Sequence, residues 1–193
     1  IEINKLLKIT GSYPQLYVDL GYNFALQNKP EAAEENYQRA IEEVEANVQL
    51  AYNVGRAFRD YNLLDHAVHV YETAMATNDK MNFNTQLAQI YGEQGNLEKM
   101  FGSYLDILEQ NHAFKSSAQR YFSQYITEDP SNEANIIFRR TVLQRSQKSP
   151  DIIYNELLSW VFIQQKEFDK AFAQEKAIFR RSDDHNLNGI IGL

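Results

Sequence analysis

Cysteine is absent from this sequence of 193 residues. Its absence excludes disulfide bonds, thiolate zinc sites, iron–sulfur clusters and a cysteine nucleophile, while a cysteine-free chain suits either side of a membrane. Long apolar runs are also missing. The longest candidate, at 152–163, contains Glu156 and is shorter than the run of about 18 apolar residues that a membrane-spanning helix needs. We therefore expect no membrane insertion.

Positive charge is scarce, since 19 Lys and Arg stand against 26 Asp and Glu and give a net charge of −7. Residues 1–99 hold 8 basic and 14 acidic side chains, so most of the acidic surplus lies in that half. Affinity for phosphate depends on concentrated positive charge. Two Phe-Arg-Arg runs, at 138–140 and 179–181, are interpreted as charges near the ends of helices, where cations complement the helix dipole. We expect no nucleic-acid partner.

Signatures of catalysis are lacking too. The sequence has no Gly-x-Ser-x-Gly, no phosphate-binding glycine loop and no His-Glu-x-x-His. His66 and His69 share one face of a predicted helix near Asp65 and Glu72, but no further metal ligand is specified. We predict no metal site, no cofactor and no enzymatic activity. Metal-dependent activity at the two histidines is the alternative that tightly bound metal would reveal.

Four columns of residues repeat along the chain at a nearly constant step. A small residue recurs as Gly21, Gly55 and Ala88, with steps of 34 and 33 residues. Three more columns follow the small residue by 12, 16 and 19 positions: Ala33, Ala67 and Met100; Tyr37, Tyr71 and Tyr104; Ala40, Ala74 and Ile107. A period between about 20 and 50 residues is typical of a solenoid.

Each repeating unit has the pattern of two amphipathic helices. Apolar residues recur at helical spacing, as in Tyr17, Leu20 and Phe24 of the first unit. Turn residues separate the two helices at 27–30, and again at 61–62 and 94–96. We expect the asparagines of these turns to cap the second helices, and Pro30 to occupy a first helical turn.

These columns resemble the tetratricopeptide repeat family, whose unit is a 34-residue helical hairpin with a small residue where its two helices meet. The match covers residues 14–111, although Glu45, Asp79 and His112 stand where the family has a proline at the end of each unit. A later unit repeats the columns with Ser159 as its small residue, 71 positions after Ala88. A divergent fourth unit is therefore required by the spacing.

The resemblance implies an all-α fold, a right-handed α-solenoid of about five helical hairpins. Because the chain starts at Ile1 without a signal pattern, we expect an internal piece of a longer protein, cut within repeats at both ends and able to self-associate there. The whole chain also resembles long tetratricopeptide proteins of Bacteroidota cell envelopes, which implies a periplasmic or envelope location, with the cytoplasm as the alternative. The predicted segments are the end of a preceding repeat at 1–13, repeats at 14–47, 48–80, 81–112, 113–148 (divergent) and 149–185, and the start of a further helix at 186–193.

In this family the first helices line a concave face that holds peptides. Removing the packing columns from the predicted first helices leaves a mixed polar and aromatic strip that includes Leu157. The predicted peptide-binding residues are Asp19, Tyr22, Tyr52, Asn53, Arg56, Gln86, Gln89 and Trp160. The family's clamp for chaperone C-termini is matched only by Asn53, which disfavours a chaperone-tail receptor. We expect a non-catalytic scaffold that binds a protein segment; the alternative is a structural module that packs on copies of itself or on other repeats of a larger chain.

Overall fold

The computed structural model describes residues 13–181, and this part of the protein is all-α, with ten α-helices, two 3-10 helices and no strand. Two predicted segments lie outside the described residues: 1–13, apart from Tyr13, and 186–193. The predicted cut ends, and the self-association that we expect through them, involve these same segments. Among the described helices, none is long and apolar enough to cross a membrane.

The ten described α-helices fall in pairs, two inside each of the five predicted repeat ranges, and a 3-10 helix precedes the first α-helix of the second and fourth ranges. They are α1 (Gln15–Leu26), α2 (Pro30–Ala46), η1 (Val48–Leu50), α3 (Ala51–Asp60), α4 (Leu64–Thr77), α5 (Asn84–Glu93), α6 (Leu97–Gln110), η2 (His112–Phe114), α7 (Lys115–Phe122), α8 (Glu133–Lys148), α9 (Ile152–Gln164) and α10 (Phe168–Arg181). The chain divides into two compact units, Ile1–Ile90 and Tyr91–Leu193. In the first, α1 packs on α2 and α3 on α4; in the second, α9 packs on both α8 and α10.

Gly21 and Gly55 lie where the two helices of a hairpin touch, as their spacing predicts. A β-carbon at Gly55 would lie 2.5 Å from Cζ of Tyr71, sixteen residues later. A β-carbon at Gly21 would overlap the ring of Tyr37 and lie 2.9 Å from the carbonyl oxygen of Ala33. Only glycine allows these rings to approach the helix backbone so closely.

The turns of four of the five described hairpins, all but that of the divergent fourth range, contain a residue with left-handed backbone conformation. The φ angles are +57° at Asn28, +58° at Asn62, +72° at Gly95 and +58° at Lys166. The next backbone N–H donates to a carbonyl oxygen five residues earlier, as in the bond from Leu63 to Phe58 at 2.9 Å. This pattern is the Schellman motif, which satisfies the last carbonyl groups of the first helix.

The expected capping by asparagine is therefore wrong for two of the three turns. Asn28 and Asn62 end the first helices through their backbone conformation, and neither caps the second helix. Asn96 does cap its helix, since its side chain accepts a hydrogen bond from Lys99 N at 3.2 Å. Pro30 occupies the first turn of α2 as predicted.

Asparagines end three second helices within two residues of Glu45, Asp79 and His112, which stand where the family has a proline. Asn47, Asn78 and Asn111 have extended backbones, and each side-chain oxygen accepts from the backbone N–H two residues later, at 3.2, 3.0 and 3.1 Å. This Asx-type turn stops a helix without proline because the side chain replaces the helical backbone partner.

The divergent fourth range has a short first helix and a long loop before α8. Asn135 is fully buried there and binds both the backbone N–H and the carbonyl oxygen of Thr127, at 3.2 and 2.9 Å. The loop is thus held by a buried side chain. Arg139 and Arg140 lie in the middle of α8, which corrects our placement near a helix end, whereas Arg180 and Arg181 do close α10.

Candidate functional site

A pocket of about 250 Å³ in the first compact unit contains four of the eight predicted peptide-binding residues. We call it the first-helix pocket, because most of its lining comes from α3 and α5, the first helices of the second and third predicted repeats. Its lining residues are Tyr52, Arg56, Arg59, Asp60, Tyr71, Gln86 and Gln89.

Helical spacing explains why these side chains share one face. Tyr52 and Arg56 are four residues apart on α3, and Gln86 and Gln89 are three apart on α5, so each pair lies on one side of its helix. The opposite side of α3 is apolar, and its Val54 is fully buried. Burial of the apolar face therefore directs the polar face to the pocket.

The pocket wall includes Tyr71 from α4, a residue that sequence analysis assigned only to packing. Its ring reaches past Gly55, where no side chain blocks it, and it is only 1% exposed. Burial raises the pKa of the Tyr71 hydroxyl to about 12. The hydroxyl therefore stays neutral at physiological pH and can donate or accept a hydrogen bond.

Two arginines supply positive charge to the pocket. Arg59 donates from Nη1 to Oε1 of Gln89 at 2.8 Å, which fixes the orientation of that amide. Arg56 Nε lies 3.6 Å from Oδ2 of Asp60, with side chains 65% and 63% exposed. An exposed ion pair of this length contributes little to stability, so the Arg56 guanidinium can exchange partners.

Two further predicted residues, Asp19 and Tyr22, both contact Tyr61 within the first compact unit. The Tyr61 hydroxyl donates to Oδ1 of Asp19 at 2.8 Å, and the rings of Tyr22 and Tyr61 stack with centroids 4.1 Å apart. That hydrogen bond, with burial, raises the pKa of Tyr61 to about 12. The structure thus makes α1 and the end of α3 contact each other through these residues. Tyr61 lies in a turn, and no column or motif singles it out.

The other two predicted residues lie apart from the pocket lining. Asn53 is exposed on α3. Trp160 belongs to the second compact unit, where its ring centroid lies 6.1 Å from that of Phe138 and 6.3 Å from that of Phe122. Leu157, which we counted in the predicted strip, is fully buried and therefore serves as core.

The two histidines differ in their surroundings. His66 stacks on Phe58 with centroids 5.1 Å apart, and its Nε2 lies 3.4 Å from Oε1 of Glu34. His69 is exposed. Within residues 13–181, no group of three or more His, Cys, Asp or Glu side chains is placed to hold a metal ion.

Comparison of the sequence with models of known protein families finds no match, and comparison with curated proteins finds none either. Function must therefore be inferred from the geometry of the site.

Proposed function

We propose that this chain is part of a tetratricopeptide-type repeat array and acts as a non-catalytic scaffold that binds a protein segment. The first-helix pocket carries the proposal. Two predicted first helices turn their polar and aromatic side chains toward one concavity, with Tyr52 and Arg56 exposed in it. Tyr and Arg are among the residue types that contribute most to the energy of protein interfaces.

Regular backbone geometry supports the repeat assignment. The left-handed residues 28, 62, 95 and 166 are separated by steps of 34, 33 and 71. The carbonyl groups that accept the Schellman hydrogen bonds belong to aromatic residues in the same register: Phe24, Phe58, Tyr91 and Phe162. A left-handed turn residue with its Schellman hydrogen bond, recurring at the same step as the sequence columns, is typical of a structural repeat.

The composition of the site favours a peptide over a small apolar ligand. Small-molecule sites are mostly apolar and enclosed. The first-helix pocket instead presents two guanidinium groups, a carboxylate and two amides. Gln86, Gln89 and the neighbouring Asn53 can bond backbone N–H and C=O groups in both senses. Ordering a flexible segment consumes much of the interaction energy, so we expect micromolar affinity, about −8 kcal/mol.

A random 12-residue peptide library displayed on phage, selected against the chain and then counter-selected against Tyr52→Ala, tests the proposal. Peptides that survive should bind in the micromolar range. Asn53→Ala and Arg56→Ala should each weaken them by about 1–3 kcal/mol while circular dichroism shows unchanged helicity.

His69→Ala is the matched control, because His69 is exposed on α4 and lines no part of the pocket. It should leave affinity unchanged. If His69→Ala abolishes binding while Asn53→Ala and Arg56→Ala are silent, the binding surface lies on the second helices and the proposal fails.

A further inference from the structure

We infer that the first-helix pocket recognises the carboxylate of an Asp or Glu side chain in the bound segment. This inference rests on the proposed function and specifies its ligand. The pocket combines two arginines on adjacent turns of α3 with two glutamine amides of α5.

The donor groups suit a carboxylate. Guanidinium groups present parallel N–H donors that match the two oxygens of a carboxylate. Because the Gln89 oxygen accepts from Arg59 at 2.8 Å, the NH₂ group of that amide points away from this bond and can donate elsewhere. The hydroxyl of Tyr71, a largely buried residue, adds a neutral donor to the wall.

The charge balance of the pocket favours one carboxylate over a phosphate. Arg56 and Arg59 together with Asp60 give the lining a net charge of +1, in a half of the chain that is otherwise acidic. A phosphate group, which carries about −1.5 to −2 at pH 7, would be repelled by Asp60 more strongly than a singly charged carboxylate is.

The carboxylate of Asp60 lies beside Arg56, where it would compete with a ligand carboxylate. Its Oδ2 lies 3.6 Å from Arg56 Nε, longer than a charge-assisted hydrogen bond. A ligand carboxylate that approaches more closely would replace this contact at little cost, since both side chains are largely exposed. Removal of the Asp60 charge should therefore strengthen ligand binding.

The test uses peptides selected on the whole chain by Tyr52-dependent phage display, with sequences read and then synthesised with amidated C-termini. The selected peptides should share an Asp or Glu at one position. Replacement of that residue by Gln or Asn should weaken binding by about tenfold, the scale of a charge-assisted hydrogen bond. The same replacement should have little further effect on the Arg56→Gln variant.

Asp60→Asn should tighten binding of the acidic peptide by about threefold or more, because it removes the competing carboxylate. Arg39→Gln is the control, since Arg39 is an exposed arginine of α2 that pairs at 2.6 Å with Glu35, four residues away on its own helix, just as Arg56 pairs with a carboxylate four residues away on α3. It should change nothing.

Peptides that bind through Tyr52 without a shared acidic residue would overturn the inference and leave the proposed function standing. Peptides that bind only with a free C-terminus, or more tightly with phosphoserine than with Glu, would also overturn it. A selection that yields no Tyr52-dependent peptide contradicts the proposed function and the inference together.

Discussion

The ring of Tyr71 lies directly over Gly55, with Cζ only 2.5 Å from the point where a β-carbon would stand. Gly21 and Tyr37 form the same contact in the preceding hairpin. Both pairs are sixteen residues apart, which is the spacing of the repeated columns in the sequence. A glycine on the first helix thus admits a tyrosine from the second.

Gly55→Ala should destabilise the protein, because the added methyl group must displace a ring that is only 1% exposed. Overpacking costs about 1–3 kcal/mol, which exceeds the gain of about 0.5–1 kcal/mol that alanine brings to a helix. Urea unfolding followed by circular dichroism measures the difference.

Gly102→Ala is the control in another helix, since the atom nearest to its added β-carbon is Arg145 Nη2 at 3.9 Å. In Gly102→Ala the higher helix propensity of alanine should therefore raise the free energy of unfolding by about 0.5–1 kcal/mol. Unchanged melting of Gly55→Leu would show that the register of the hairpin is wrong.

The hairpins could be predicted because helix packing repeats in the sequence itself. Gly21 and Gly55 are each followed sixteen residues later by a tyrosine, and this spacing does not depend on where the helices begin or end. The role of the turn asparagines could not be predicted. Asparagine is favoured both as an N-cap and in the left-handed conformation, so only the backbone angles of Asn28 and Asn62 distinguish these two roles.

Prediction of the site was incomplete for a different reason. Removal of the packing columns left Tyr52, Arg56, Gln86 and Gln89, which do line one pocket. Tyr71 was missed because it belongs to a packing column on a second helix, although its ring both packs and lines the pocket. Tyr61 and Asp19 contact each other across 42 residues, and no helical spacing reveals such a pair.

Lys166→Gly should stabilise the second compact unit. Lys166 has a φ of +58°, a conformation that costs a residue with a β-carbon about 1 kcal/mol more than glycine. Its ion pair with Glu128 is exposed, 65% and 73%, and contributes little. We expect a gain of about 1 kcal/mol in the free energy of unfolding, measured with urea.

Two comparison variants separate backbone strain from the lost ion pair. Lys166→Ala loses the ion pair but keeps the strain, so it should show no gain. Gly95→Ala introduces the strain at a φ of +72° where no atom lies within 4 Å, and it should lose about 1 kcal/mol. A gain for Lys166→Ala equal to that for Lys166→Gly would contradict the explanation.

Asn135→Ala should destabilise the divergent range more than any surface change. The substitution leaves the N–H and C=O groups of Thr127 without their buried partner, at a cost of about 2–3 kcal/mol. Hydrogen exchange should become faster at Thr127. Asn23→Ala is the control: Asn23 is exposed and bonds only the carbonyl oxygen of Asp19 on its own helix, so its removal should cost less than about 0.5 kcal/mol.

Tyr61→Phe should expose the energetic value of the Asp19 contact through its pH dependence. The variant keeps the stacked ring but loses the hydrogen bond of 2.8 Å, which should cost about 0.5–1.5 kcal/mol at pH 7. The folded protein raises the pKa of Tyr61 from 10.0 to about 12, so it binds the phenolic proton more tightly than the unfolded chain does. The stabilisation is therefore complete below about pH 10 and is lost as the pH rises toward 12.

Urea unfolding of the wild-type protein and Tyr61→Phe at pH 7 and pH 11 measures this effect. The difference in the free energy of unfolding between the two proteins should shrink at the higher pH. Tyr13→Phe changes a tyrosine that is 52% exposed and should be neutral at pH 7. A difference between wild type and Tyr61→Phe that grows with pH would contradict the assigned bond, because it would mean that the folded protein binds the phenolic proton more weakly than the unfolded chain does.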